Sequence, residues 1–252
     1  MKVLKFRLDG KTAFFKKPEV NSYYYFTYGN IHKVALLGMF GAILGYGGYN
    51  KAALMKSTDK KYSYDYPEFY CKLNNLKVAI EPMNESGMIN KKIQVFNNSV
   101  GYASKELGGN LIVKEQWLEN PVWNIYIIID NEEAVKLSEY ITNKKAIYTP
   151  YLGKNDHYAN ISNIEVLDNI KEISKAKRID SLCPKDNINF DVVDEEDDEV
   201  DDLFKYNEKL PIALDKDTNG YILSSFVYSN MIIKSSNNIK VYEIEGKNIV
   251  FF

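Results

Sequence analysis

Ile125-Tyr126-Ile127-Ile128-Ile129 lies inside the stretch Trp123 to Asp130 and is an apolar run too short for a helix and long enough for a central strand. Immediately after it, Asn131 to Asn143 carries Ala134, Val135, Leu137 and Ile141 near helical spacing, with Glu132 and Glu133 in the first turn, where carboxylates favour the helix dipole. Tyr158 to Leu167 supplies a strand beyond that helix. Upstream, Lys92-Ile93-Gln94-Val95-Phe96 alternates as one arm of an exposed hairpin and Leu111 to Leu118 reads as the returning arm, within a region from 84 to 118. Leu76 to Glu81 is a short strand ending at Pro82.

The N-terminal part repeats the pattern. Val3-Leu4-Lys5-Phe6-Arg7-Leu8 places apolar side chains at 4, 6 and 8, the period of a half-buried strand. Asn30 is the expected N-cap of a helix from Ile31 to about Leu44, apolar nearly all round and therefore buried, ending in the glycines at 45, 47 and 48. The order up to about residue 170 is thus strand, helix, strand, long hairpin, strand, helix, strand. That is the split βαβ, or ferredoxin-like, pattern of an α+β domain with two helices on one face of an antiparallel sheet. Residues 171–252 read as a small β-rich C-terminal appendage. Its strands are expected at Leu210 to Leu214, Gly220 to Tyr228 and Ile239 to Phe252, with turns at Asp217-Thr218-Asn219-Gly220 and Ser235-Ser236-Asn237-Asn238.

Composition narrows the function. Hydrophobic content of 45% and charged content of 26% are those of a globular protein. The longest apolar stretch, Val34 to Tyr49, has 16 residues and five glycines, short of the roughly 20 needed to span a bilayer, so no membrane partner is expected. The first ten residues lack the pattern of a signal peptide, and a cytoplasmic location is expected. Cys71 and Cys183 are neither a disulfide framework nor a zinc spacing. The net charge of -2 conceals an acidic run at Asp191 to Asp202 with nine carboxylates; without it the chain holds 32 basic residues against 25 acidic, a net of +7. Such a body binds polyanions through its local field. With only Arg7 and Arg178 as arginines, its lysines act on phosphate as point charges, and its 20 tyrosines offer stacking faces among their packing roles.

Two weaker motifs are set aside. Gly45-Tyr46-Gly47-Gly48 follows a helix and precedes no Gly-Lys-Ser/Thr, so it reads as helix termination. Asp215-Lys216-Asp217-Thr218-Asn219-Gly220 begins like a calcium loop, but Phe226 stands where a bidentate Glu is needed, and a hairpin turn is expected. No cofactor is expected.

Three segments carry a family resemblance. They are Leu8-Asp9-Gly10-Lys11-Thr12-Ala13-Phe14-Phe15-Lys16-Lys17-Pro18 with Thr27-Tyr28 and Leu36 to Gly45; Gln116 with Leu118-Glu119-Asn120-Pro121-Val122-Trp123-Asn124-Ile125-Tyr126-Ile127; and Tyr151-Leu152-Gly153-Lys154-Asn155-Asp156 with Ala159 and Ile161. In that order and spacing the chain resembles the Cas five family of type I CRISPR surveillance (Cascade) complexes, within the RAMP superfamily, most closely its type I-B branch. The resemblance implies an RRM-like, ferredoxin-type domain over 1–170 with a protruding thumb hairpin. It also implies a non-catalytic subunit that caps the five-prime handle of the crRNA and contacts the backbone and large subunits, meeting target DNA through the complex.

The residues themselves suggest where RNA would be held. The helix start at Asn30 to Lys33 offers backbone amides for a phosphate, with His32 and Lys33 as added donors and Tyr28 nearby, although an ordinary helix cap accounts for the same residues. Lys91, Lys92, Lys105 and Lys114 on the expected thumb would follow a single strand on which Phe96 or Tyr102 stacks; edge-guarding lysines are the plainer reading. Gln116 serves an RNA edge or a backbone group equally well. Lys154 and Asn155 lie in a loop suited to RNA, a neighbouring subunit or a plain turn. His32 and His157 are the two histidines, and neither falls on the thumb, where the resemblance implies that the RNA-cleaving type I-C branch carries histidine chemistry. A binding role is expected; a metal-independent endoribonuclease using His32, or a purely structural assembly subunit, are the rivals.

Overall fold

A computed structural model describes residues 1–20, 22–58, 65–168, 170–190 and 203–252. The acidic run Asp191 to Asp202 lies outside the described residues.

Strands β1 (Val3–Asp9), β3 (Val78–Pro82), β6 (Val122–Ile128) and β7 (Asn160–Leu167) form one sheet in the order β3-β6-β1-β7, every neighbouring pair antiparallel. Helix α1 (Lys33–Leu44) connects β1 towards β3, and α4 (Glu132–Thr142) connects β6 to β7, so two β-α-β units interleave as the sequence order requires. Registry fixes the faces. Leu4 opposes Ile127, Phe6 opposes Ile125 and Leu8 opposes Trp123, and these side chains meet Leu36, Leu37, Phe40 and Ile43 of α1 and Leu137 and Ile141 of α4 in the main core. Phe6 and Phe40 make an edge contact at 6.3 Å between ring centres, an arrangement worth roughly 0.5–1.5 kcal/mol beyond burial.

The opposite face is covered too. Val3, Ala79, Tyr126 and Ile128 pack on Ile244 and Ile249 from the hairpin of β14 (Val241–Ile244) and β15 (Lys247–Val250). Burial on both sides is why residues 125–129 show no polar alternation. The expected single strand from Ile239 to Phe252 is this hairpin, because Glu245 and Gly246 both take positive φ (50° and 77°) and reverse the chain.

Helix α1 begins two residues later than its expected start. Its N-cap is His32, whose side chain accepts from Ala35 N, and Gly45 in the left-handed region (φ 79°) ends it. Asn30 is drawn into the core instead. Two further helices, α2 (Tyr49–Thr58) and α3 (Glu68–Leu73), were not apparent in the sequence; α3 has six residues, too few to show a period. It packs on α1 at Gly41, where an added Cβ would lie 2.5 Å from Phe69 Cβ, so only glycine permits that approach.

The expected thumb is present as β4 (Lys91–Asn97) and β5 (Ile112–Glu119), with the short β2 (Thr12–Ala13) paired at the base of β5. Tyr25 from the aromatic run extends this sheet: its N–H donates to Lys114 O, and its carbonyl accepts from Gln116 N, both at 2.9 Å.

After residue 170 come β8 (Lys171–Ile173), β9 (Ile179–Pro184), β10 (Ile188–Phe190), β11 (Lys205–Leu214), β12 (Tyr221–Ser229) and β13 (Ile233–Ser236). They pair as β11-β12-β9, β15-β14-β8 and β10-β13. Leu182, Leu210, Leu214 and Phe226 enter the main core, while Ile179, Cys183, Ile188, Val241 and Val250 build a smaller one. The β11–β12 turn closes on Asp215, whose carboxylate accepts from Thr218 N (2.9 Å), Thr218 Oγ1 (2.7 Å) and Asp217 N (3.1 Å); these bonds hold the carboxyl below its usual range.

Candidate nucleic-acid interface

The register of β4 against β5 sorts the thumb residues onto two faces. Lys91, Lys114 and Gln116 share one face with Ile93 and Val95, which are about half exposed at 47% and 51%. The Lys114 ammonium lies 5.2 Å from the centre of the Tyr24 ring. On the other face Lys92 pairs with Glu119 at 3.4 Å, and Phe96 lies beneath Lys154, whose Nζ is 5.0 Å from the ring centre. Lys154 is also 3.2 Å from both the buried Glu115 carboxylate and Asp156. It ties the 153–156 turn to the thumb base, and Asn155 stands exposed on that turn. Lys105 sits apart near the thumb tip beside Tyr102, which is 80% exposed.

Just upstream of the expected phosphate seat at Asn30 to Lys33, an internal carboxylate is bound. Gly29 N donates to both oxygens of Glu208 on β11 (3.0 and 2.9 Å), and the same carboxylate pairs with Lys17 at 3.0 Å and accepts from Tyr206 OH. An internal anion thus occupies the amide immediately before those expected to meet an external one. Asn30 is fully buried: its Oδ1 accepts from Trp123 Nε1 (2.9 Å) and its Nδ2 donates to Gly87 O (3.1 Å), so it is spent within the core. Lys33 donates to Phe252 O at 3.0 Å, and burial pulls its pKa down to about 8. Neither Asn30 nor Lys33 is placed as an RNA donor.

His32 and Tyr28 are brought together, with ring centres 5.2 Å apart in an edge contact; Phe15 and Tyr221 make similar contacts with the imidazole at 6.0 and 5.3 Å. Burial pushes the His32 pKa down to about 3 and raises that of the Tyr28 hydroxyl, which lies near Glu19. His157 is buried under the thumb, its Nδ1 2.6 Å from Thr12 Oγ1 and its ring edge-on to Trp117 at 4.6 Å; burial lowers its pKa as well.

A cleft of about 970 Å³ that the sequence did not reveal runs along α1. Ala35, Gly38 and Ala42 form its floor, Tyr148, Tyr151 and Tyr221 are among its walls, and Lys16, Gly153 and Lys154 close the end next to the thumb. The signal available beforehand was the small residues at 35, 38 and 42, a bare stripe at helical spacing in an otherwise bulky helix. Tyr221 arrives from a strand almost two hundred residues away, and no local pattern announces it. Among the described residues no three His, Cys, Asp or Glu side chains gather to hold a metal, and no helix is long and apolar enough to cross a membrane.

No family model matches the chain, and no curated protein matches it in sequence. Solved structures do resemble it. A chain of a CRISPR RNA-guided surveillance complex is 12% identical with a TM-score of 0.54, over 92% of this chain and 91% of that one. A CRISPR protein from Archaeoglobus fulgidus is 9% identical with a TM-score of 0.49, over 100% and 99%. A chain of the Type III-B Cmr-beta complex bound to cognate target RNA and AMPPnP is 14% identical with a TM-score of 0.47, over 92% and 86%. At 12% identity the likeness to the surveillance-complex chain is one of fold, over 92% of this chain.

Proposed function

We propose that this chain is a non-catalytic, RNA-binding subunit of a CRISPR surveillance complex, of the Cas five family and type I-B in kind, that holds the five-prime handle of the crRNA. The observation that carries the reading is the lysine-bearing β4–β5 finger rising from an interleaved βαβ sheet. Its support from outside the chain is the fold shared with a subunit of an RNA-guided surveillance complex. Lys91 and Lys114 line one face of the finger with Gln116, so that a single strand laid along that face meets positive charge, whereas Lys92 and Lys154 on the other are paired with carboxylates. The partners that follow are the crRNA handle, the backbone and large subunits and, through the complex, target DNA.

Binding is favoured over cleavage by the state of His32. Its Nδ1 lone pair is occupied by Ala35 N, so the neutral ring carries its proton on Nε2, and burial keeps it neutral far below physiological pH. Such a ring donates a hydrogen bond but has no free lone pair with which to take a 2′-hydroxyl proton. His157 is likewise enclosed beneath Trp117.

The test is purified chain with labelled repeat RNA in chelator at several salt concentrations. Binding that weakens with salt and leaves the RNA intact supports the reading. Cleavage that disappears in His32→Ala would replace it with the endoribonuclease, and an absence of binding, alone or with neighbouring subunits, would leave a purely structural role.

A further inference from the structure

Lys154 is among the lysines that the sequence offers to RNA, yet its surroundings direct it inward. Its Nζ lies 3.2 and 3.3 Å from the two oxygens of Glu115, whose side chain is 7% exposed, and 3.2 Å from Asp156. Glu115 also accepts from Trp117 Nε1 at 2.7 Å. Among the described residues Lys154 is the one cation within ion-pair distance of that carboxylate. An indole N–H offsets only part of the cost of burying a charge, so the lysine is what lets the carboxylate stay beneath the finger.

The position of Glu115 matters because Lys114 and Gln116 flank it on β5. Alternate side chains of a strand point to opposite faces, so the buried carboxylate and its two neighbours turn as one unit. Tyr25 brackets the same three residues, its N–H on Lys114 O and its carbonyl on Gln116 N. Behind the strand Trp117 stands edge-on to His157, whose Nδ1 lies 2.6 Å from Thr12 Oγ1. That second prop is incomplete: His157 Nε2 is buried with no partner among the described residues. The Lys154–Glu115 pair is therefore the charged tie between the 153–156 turn and the strand that carries the RNA face. Without the lysine, Glu115 must turn towards water, and β5 carries Lys114 and Gln116 with it.

We propose that Lys154 is a positioning residue, which acts on RNA through Glu115 by holding β5 at the pitch that presents Lys114 and Gln116, and makes no phosphate contact of its own. This role rests on the RNA-binding reading.

The test compares wild type, Lys154→Met, Glu115→Gln and the double variant as full chains, by binding of labelled repeat RNA across a salt series and by amide exchange of the free protein. Methionine keeps an unbranched stem over Phe96, and glutamine keeps an oxygen for Trp117 without a charge to bury. Lys154→Met should weaken binding by about tenfold, within the range by which coupled sites influence each other, and leave the slope of log affinity against log salt unchanged. A direct phosphate contact would instead lower that slope by about 0.7, with or without Glu115. The double variant should return to within about threefold of wild type, because a neutral glutamine needs no cation. Exchange of the Gln116 N–H, which is bonded to Tyr25 O, should be faster in Lys154→Met and restored in the double variant. Lys11→Met removes one charge beside the finger base, where Lys11 O meets Asn120 N, and should leave affinity within about twofold, since an exposed charge is screened. A lower slope on removing Lys154, no recovery in the double variant, unchanged exchange at Gln116, or an equal loss in Lys11→Met overturns the positioning role and leaves RNA binding by the finger standing. A wild type that binds no RNA removes the RNA-binding reading, and the positioning role with it.

Discussion

Replacing Lys91 and Lys114 together by alanine should change the salt dependence of RNA binding more than the fold. Lys91 opposes Leu118 and Lys114 opposes Val95, so the two lysines share a face four residues apart, on the order of 13 Å along the strand. At that separation they reach different phosphates. Each phosphate contact with a single strand contributes about 0.7 to the slope of log affinity against log salt, so losing both lowers the slope by about 1.4. Between 50 and 200 mM salt the wild type should then lose roughly sevenfold more affinity than the double variant. The cost to stability should be small, since exposed side chains away from special features shift it by about 0.5 kcal/mol or less, and Lys114 adds only its contact with Tyr24. Fluorescence anisotropy of a labelled repeat RNA across a salt series measures the slope. Lys234→Ala with Lys240→Ala, on β13 and just before β14, provides the comparison. Equal slopes for wild type and finger variant, or an equal loss in the comparison pair, would refute the assignment of these lysines to phosphate.

Phe40→Ala, which empties a fully buried site against Phe6, should destabilise the protein by about 3–5 kcal/mol in urea unfolding. Gly41→Ala should cost about 1–3 kcal/mol because its methyl meets Phe69, whereas Gly38→Ala in the same helix should stabilise by about 0.5–1 kcal/mol; the opposite signs can be read in one set of thermal melts. The buried neutral His32, with a folded pKa of about 3 against 6.5 when unfolded, makes the unfolded chain bind the extra proton first as acid is added. Its contribution is intact above about pH 6.5 and is lost as the pH falls towards 3, at up to about 1.4 kcal/mol per pH unit, and imidazole NMR signals that titrate near 6.5 in the folded state would contradict it.

Much of the architecture could be read from the order of residues because it rests on local periods. The alternation at Leu4, Phe6 and Leu8, the apolar run at 125–129 and the spacing of Ala134, Leu137 and Ile141 each report which side is buried, and the structure uses all three as expected. The finger was equally visible, as an alternating pair of arms. What could not be read were effects of distant partners. Asn30 has every local attribute of a cap, yet Trp123 and Gly87 claim its side chain across the fold, and His32 takes its place. The carboxylate beside the expected phosphate seat could not be foreseen, because Glu208, which binds Gly29 N, is 179 residues away. The cleft escaped notice for the same reason: only its floor is local, and Tyr221 becomes a wall through the pairing of β11 and β12.

That carboxylate also sets a timetable. During synthesis the segment around Gly29 leaves the ribosome long before its acidic counterpart, and at about 5–20 residues per second the interval is roughly ten to thirty seconds. Throughout that interval Lys17 and the Gly29 amide lack the carboxylate that both contact in the folded chain. The turn before α1 can therefore take its final form only once residue 208 has emerged.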